Sequence, residues 1–149
     1  MILIQLQQHA VNAAFFFIVH GIRTDFRNRS IERAKFLEAE GFCEASHYWT
    51  DPETGELCRI RPDKRLKNHP VLLDVKKVAD MERFSRHIEE FRYHVQDAMY
   101  REGAQQTTGE PHGFFFLAVS ETIDCGRYPV RVFELDAPDV DAGHALFRR

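Results

Sequence analysis

Histidine is the side chain best supplied here for proton transfer. The chain has eight of them, and an imidazole titrates close to neutrality. His20 closes an apolar run. His87 and His94 fall seven residues apart, in one polar row with Asp80 and Arg101. His20, His87 and His94 are therefore the candidate acid–base residues, each needing a partner such as His47 or His112 from across the sheet. A seven-residue step separates His87 from His94 by about 10.5 Å along an ideal helix, too far to share a metal ion. The three cysteines, Cys43, Cys58 and Cys125, form no CxxC pair and offer no closed zinc site. No metal and no cofactor are expected.

The string Phe17-Ile-Val-His20-Gly21-Ile-Arg23-Thr24 resembles the strand-end His-Gly of α/β-hydrolases over eight residues. That resemblance implies that the loop after the strand helps to build an oxyanion hole, and it makes a small histidine-dependent hydrolase one reading of the function. The family's nucleophile elbow, Gly-x-Ser-x-Gly, has no counterpart, because none of Ser30, Ser46, Ser85 and Ser120 has the flanking glycines. No Gly-rich phosphate cradle, Walker motif or dinucleotide fingerprint occurs, and no carboxylate pair has a spacing that marks a glycosidase.

Charge offers a different chemistry. Between Arg59 and Lys77 stand seven Lys or Arg against two acids, Asp63 and Asp74. Tyr48 beside Arg59 and Arg61 could stack on a base while Lys64, Arg65 and Lys67 meet phosphates. These six residues form the candidate binding surface for a partner or nucleic acid. Against a dedicated nucleic-acid module stand the net charge of −3, a pI near 6.2, and the acidic run Glu134, Asp136, Asp139 and Asp141. Such modules are usually basic. The leading expectation is thus a small regulatory or adaptor protein that binds a macromolecular partner without catalysis. RNA or DNA binding through the basic segment is the alternative. A homodimer could form by pairing of an edge strand.

The composition bounds these readings. A chain of 149 residues, 44% hydrophobic and 29% charged, is too apolar and too nearly neutral for disorder. It is long enough to fold around one core without disulfides. Its longest apolar run, Ala13 to Val19, has seven residues, whereas a spanning helix needs about 20. The first residues lack a basic n-region and a cleavage motif. A cytoplasmic protein with no membrane partner is expected.

The elements that would position these residues follow from periodicity. Ala14–Val19 and Gly113–Val119 are short continuous apolar runs suited to strands buried on both faces, and Ile2–Gln7 could precede them as another strand. Ser30–Glu40 reads as a helix ended by Gly41, with a strand from Cys43. Residues 46–61 read as a hairpin around Asp51-Pro-Glu-Thr-Gly55, with Thr50 opposite Leu57. That register puts Trp49, Cys58, His47 and Ile60 on a core face and Tyr48, Arg59 and Arg61 on a wet one. Phe84, Ile88, Phe91, Val95 and Met99 predict one long amphipathic helix within 74–101, ended by Gly103. A last strand is expected over Tyr128–Leu135. The sum is an α+β single-domain sandwich over 1–136. It has an antiparallel or mixed sheet of four to six strands, two helices on one face in a ferredoxin-like arrangement, and a loosely held tail over 137–149.

Overall fold

The computed structural model describes residues 38–124, 126 and 128–148. The expected strands at Ile2–Gln7 and Ala14–Val19, the His20-Gly21 turn, and all but the end of the Ser30–Glu40 helix lie outside the described residues.

Two apolar strands, β5 (Val71–Val78) and β6 (Gly113–Ser120), form the middle of the sheet. They pair in parallel over eight residues, from Val71 opposite Gly113 to Val78 opposite Ser120. Both are rich in β-branched or aromatic residues, and side chains on both faces are buried, as befits interior strands. Leu72, Phe114, Phe116 and Ala118 enter one core. Val71, Leu73 and Leu117 enter another on the opposite face, with Leu66. Short antiparallel neighbours complete a sheet in the order β1 (Gly41–Cys43), β4 (Lys64–Leu66), β5, β6, β7 (Val130–Phe133). A separate hairpin joins β2 (His47–Thr50) to β3 (Leu57–Ile60).

The α+β class and the mixed five-stranded sheet agree with expectation, but the ferredoxin-like arrangement does not emerge from this strand order. A parallel pair needs a long crossover, and the chain supplies it between β5 and β6. A 3-10 turn at Met81–Arg83 comes first, capped by the Asp80 carboxylate accepting from the Glu82 amide at 3.0 Å. Helices α1 (Phe84–Glu90) and α2 (Tyr93–Thr108) follow.

Here the expectation of one long helix within 74–101 is corrected in three ways. Residues 74–78 belong to β5, because their apolar neighbours Leu72 and Leu73 are buried on opposite faces. The helix breaks at Arg92, whose φ of 54° is left-handed. It also continues through Gly103, which is not its end. A Cβ at Gly103 would come within 2.6 Å of the Trp49 ring, so the glycine is there to let the hairpin press on the helix. Gly109, at φ 80°, supplies the left-handed turn that ends α2. Gly41, expected as a helix stop, is a strand residue facing Leu66.

The hairpin has the expected register, Thr50 with Leu57 and Trp49 with Cys58. Trp49 and Ile60 are buried while Tyr48 is 57% exposed. The C-terminal residues carry α3 (Ala137–Phe147), started by the Asp136 carboxylate accepting from the Asp139 amide at 3.2 Å. Gly143 lies so close to the His94 carbonyl that no side chain would fit. Among the described residues no helix is long and apolar enough to cross a membrane.

Candidate active site

On the sheet face beneath α2, strand alternation collects charge where a core would otherwise continue. β5 sends Leu72, Asp74 and Lys76 to that face, since successive side chains alternate. Asp74 is 5% exposed. From the neighbouring chain segment Asp63 joins it, leaving β3 through buried Pro62. The Asp63 Oδ2 accepts from the Val75 amide at 2.6 Å, a bond to strand backbone that fixes the carboxylate against β5.

α2 closes the group from above. Gln96 Nε2 donates to Asp74 Oδ1 at 2.9 Å, and its Oε1 accepts from Lys76 Nζ at 2.7 Å. One amide thus holds an acid and a base side by side. Lys76 Nζ also lies 2.6 Å from Asp74 Oδ2, so the ammonium bridges the acid and the Gln96 amide. The ammonium rests 4.5 Å above the Tyr93 ring. One turn beyond Gln96, the Tyr100 hydroxyl donates to the Arg61 carbonyl at 3.5 Å, tying α2 to the strand that leads into Asp63.

The electrostatics of this group are unbalanced. Burial pushes the Asp74 carboxyl above the usual carboxylate range; Lys76 opposes that, and the Asp63 charge adds to it. Burial likewise raises Asp63, where the Val75 amide opposes the shift and Glu44 adds to it. Burial and then the Asp74 charge raise Tyr100. Two carboxylates, with Glu44 nearby, face one ammonium. Glu44 itself sits at φ 53°, a conformation unfavourable for a side-chain-bearing residue. Its amide donates to the Asp63 carbonyl at 3.0 Å, and its carboxylate is 3.2 Å from Arg61 Nε.

Two desolvated carboxylates with too little counter-charge are a fitting environment for a divalent cation. Magnesium is held by one or two carboxylates, with substrate phosphates completing its shell. Among the described residues no three His, Cys, Asp or Glu side chains form a ready-made cage, so the residues fit an ion shared with a phosphate better than a closed structural site.

The expected acid–base histidines are placed elsewhere. His20 lies outside the described residues. His87 packs edge-on against Phe91, and His94 Nδ1 is 3.1 Å from the Ile88 carbonyl. Of the expected binding residues, Tyr48 and Arg59 face each other on the wet side of the hairpin, and Arg61 continues that side to Asp63. Arg65 lies on the Phe42 ring at 4.7 Å, and Lys67 is exposed, 3.5 Å from Glu40. Lys64 is buried on the other face of its strand. Asp63, Asp74, Lys76, Gln96 and Tyr100 were missed as site residues, although Pro62-Asp63 followed by Asp74-Val-Lys76 was legible. The helical reading of residue 74 concealed that pattern.

The architecture is a mixed sheet with Asp-x-Lys on β5 and Pro62-Asp63 in the turn that leads into the neighbouring β4. A family model described as "PDDEXK-like domain of unknown function (DUF3799)" matches residues 7–127, and the chain belongs to that family. The residues that its name spells out are present here as Pro62, Asp63, Asp74 and Lys76. No curated protein matches the chain. Among solved structures, a candidate exonuclease from Eubacterium rectale aligns with a TM-score of 0.62 at 18% identity. The alignment covers 80% of this chain and 46% of that one, so the chain spans about half the length of that relative. An alkaline exonuclease from Laribacter hongkongensis aligns at 12% identity with a TM-score of 0.40, over 95% of this chain and 77% of that one. Family and shared fold overturn the expectation of a non-catalytic regulatory adaptor and, with it, the protein-interaction role.

Proposed function

We propose that the chain is a metal-dependent nuclease that hydrolyses phosphodiester bonds at Asp63, Asp74 and Lys76. The observation that carries this reading is the convergence of these three residues beneath α2, with both carboxyls raised by burial and one ammonium between them and the helix. The names of the E. rectale and L. hongkongensis structures support nucleic acid as the substrate.

A divalent cation on the Asp63 and Asp74 carboxylates would stabilise charge on phosphoryl oxygens as a Lewis acid. The chain's own residues have distinct tasks. Asp63 and Asp74 hold their carboxylates in place through the Val75 amide and the Gln96 side chain. Lys76 offers an ammonium to the attacking water or to a non-bridging oxygen, where negative charge grows as the water oxygen bonds to phosphorus and the ester oxygen leaves. Gln96 and the Tyr93 ring together hold that ammonium beside Asp74. The wet side of the hairpin, with Tyr48, Arg59 and Arg61, leads to Asp63 and gives a strand of nucleic acid a stacking face and cations.

The test is hydrolysis of an end-labelled oligonucleotide by the full chain with Mg²⁺ or Mn²⁺. Cleavage that vanishes with EDTA and in Asp74→Asn is expected. Undiminished cleavage by Asp74→Asn, or none by the unaltered chain, overturns the proposal.

A further inference from the structure

The strand segment that carries Asp63 continues the same alternation of buried and exposed residues from Leu57 to Lys67. Arg65, two residues on, therefore emerges on the Asp63 side about 6.6 Å further along. There it borders a cavity of about 180 Å³, together with Lys67, Asn68, His69, Thr108 and His112. Small-molecule sites usually measure roughly 300–1,000 Å³, so the cavity suits a compact group and not a nucleoside. Its lining is mainly cationic or hydrogen-bonding, with Glu110 as the acid among the lining residues.

The polar groups around it are incompletely matched within the protein. Arg65 Nε is buried and has no acceptor, which a folded protein rarely leaves so. His47 stands beside Arg65 and His112, and burial followed by their charges lowers its pKa. The Thr107 hydroxyl donates to the Gly103 carbonyl at 2.8 Å, so it receives the proton of His47 Nδ1, 3.0 Å away. His47 Nε2, behind the lining, is buried without a partner. His112 Nδ1 is 2.8 Å from the Glu110 carbonyl, which orients that ring. A tetrahedral oxyanion in the cavity would supply acceptors to Arg65, Lys67 and Asn68, which line it, and charge-assisted bonds of that kind are the strong ones.

We propose that this cavity is a phosphate-binding subsite. It takes a phosphate group of the same nucleic-acid strand whose scissile bond lies at Asp63 and Asp74. The carrier of the phosphate rests on the nuclease reading; the oxyanion chemistry does not. Inorganic phosphate titrated into the full chain with EDTA present, followed by calorimetry and by histidine ring resonances, is expected to bind saturably and to move the His47 and His112 signals. Arg65→Gln and the exposed Lys67→Gln should each weaken binding at least about tenfold, the scale of one lost hydrogen bond to a charged group. No saturable binding, or binding unchanged in both variants, overturns the subsite.

Oligonucleotides ending in a 5′-phosphate, a 3′-phosphate or hydroxyls separate the sources, measured on Asp74→Asn protein to prevent cleavage. Tighter binding of one phosphorylated end, erased by Arg65→Gln, assigns a terminal phosphate. Equal binding of all three, weakened alike by Arg65→Gln, assigns an internal one. Oligonucleotide binding indifferent to Arg65→Gln overturns the subsite's role on the strand. Phosphate binding in a chain that cuts no nucleic acid would sink the nuclease reading alone; cleavage without phosphate binding would sink the subsite alone.

Discussion

Two groups of buried charge in this protein have opposite character. At the hairpin turn, Asp51 is 3% exposed, yet its carboxylate accepts from the Glu53 and Thr54 amides, both at 2.9 Å. Arg148, arriving from the end of α3, pairs with it at 2.5 Å and also with Glu102 of α2. Hydrogen bonds from Thr54 in the first place, with Glu53 and Arg148, hold the Asp51 carboxyl below its ordinary range. Beneath α2, Asp63 and Asp74 have few donors and one ammonium, and burial holds both carboxyls above it. The first group is satisfied and clasps hairpin, α2 and α3 together. The second is left wanting a cation, and a wanting site is one that can bind. The sign of the imbalance, not the burial, separates structure from chemistry.

Neutralising the second group should give the largest effect. Asp74→Asn is expected to lower hydrolysis by about 10³-fold, the scale of losing a pre-placed electrostatic partner, while its melting temperature at neutral pH rises, because a desolvated like charge is gone. A thermal melt beside a cleavage assay checks both; a fall in both would mean that Asp74 is merely structural.

Next, the cation itself should show up in stability. Mn²⁺ is expected to raise the melting temperature of the unaltered chain and to leave Asp63→Asn unmoved, because only a folded state that binds the ion gains from it. Equal shifts in both proteins would remove Asp63 from the binding set.

Arg148→Ala attacks the satisfied group instead. Its melting temperature should drop by several degrees, with cleavage by the remaining folded protein within about twofold of normal.

The two groups should also respond oppositely to pH. Asp51 has a lowered folded-state pKa, so its stabilisation is present above its unfolded value of 3.8 and fades as pH falls through the folded one. Asp63 and Asp74 have raised values, so they cost stability progressively as pH climbs from 3.8 through the folded values. In metal-free melts the stability gained by Asp74→Asn should therefore grow as pH rises from 4, whereas the loss in Arg148→Ala should be level above 4 and shrink as pH falls below 3.8. A gain independent of pH would contradict the charge imbalance at Asp74.

Smallest of all, Tyr48→Ala should raise the KM for single strands by about fivefold to tenfold, the lower end of the roughly 1–3 kcal/mol that one stacked base is worth, with kcat unchanged.

Much of this was legible in the sequence, though unevenly. The hairpin's register followed from Asp51-Pro-Glu-Thr-Gly55 because a short turn dictates its neighbours' pairing. Gly113–Val119 announced an interior strand by its unbroken apolar run. Val71–Val78 did not, since Asp74, Lys76 and Lys77 interrupt it with the charges of the site, and Val78 and Met81 then fell into step with the helical stripe beyond. Polar residues stand where strand formation would ask for apolar ones, so the local signal failed at the strand that carries the proposed site. Gln96 was hidden for another reason: its meaning depends on α2 crossing over β5, a long-range contact that no local pattern encodes.

That crossing has a consequence in time as well as in space. Lys76 is oriented by Gln96, twenty residues later in the chain, in the crossover that joins the parallel strands β5 and β6. Parallel pairing over a long crossover is a slow, late step in folding. A chain that has formed its hairpin and helices but not this pairing has its aspartates and no oriented lysine. On refolding, recovery of the proposed cleavage should accordingly lag behind recovery of helix.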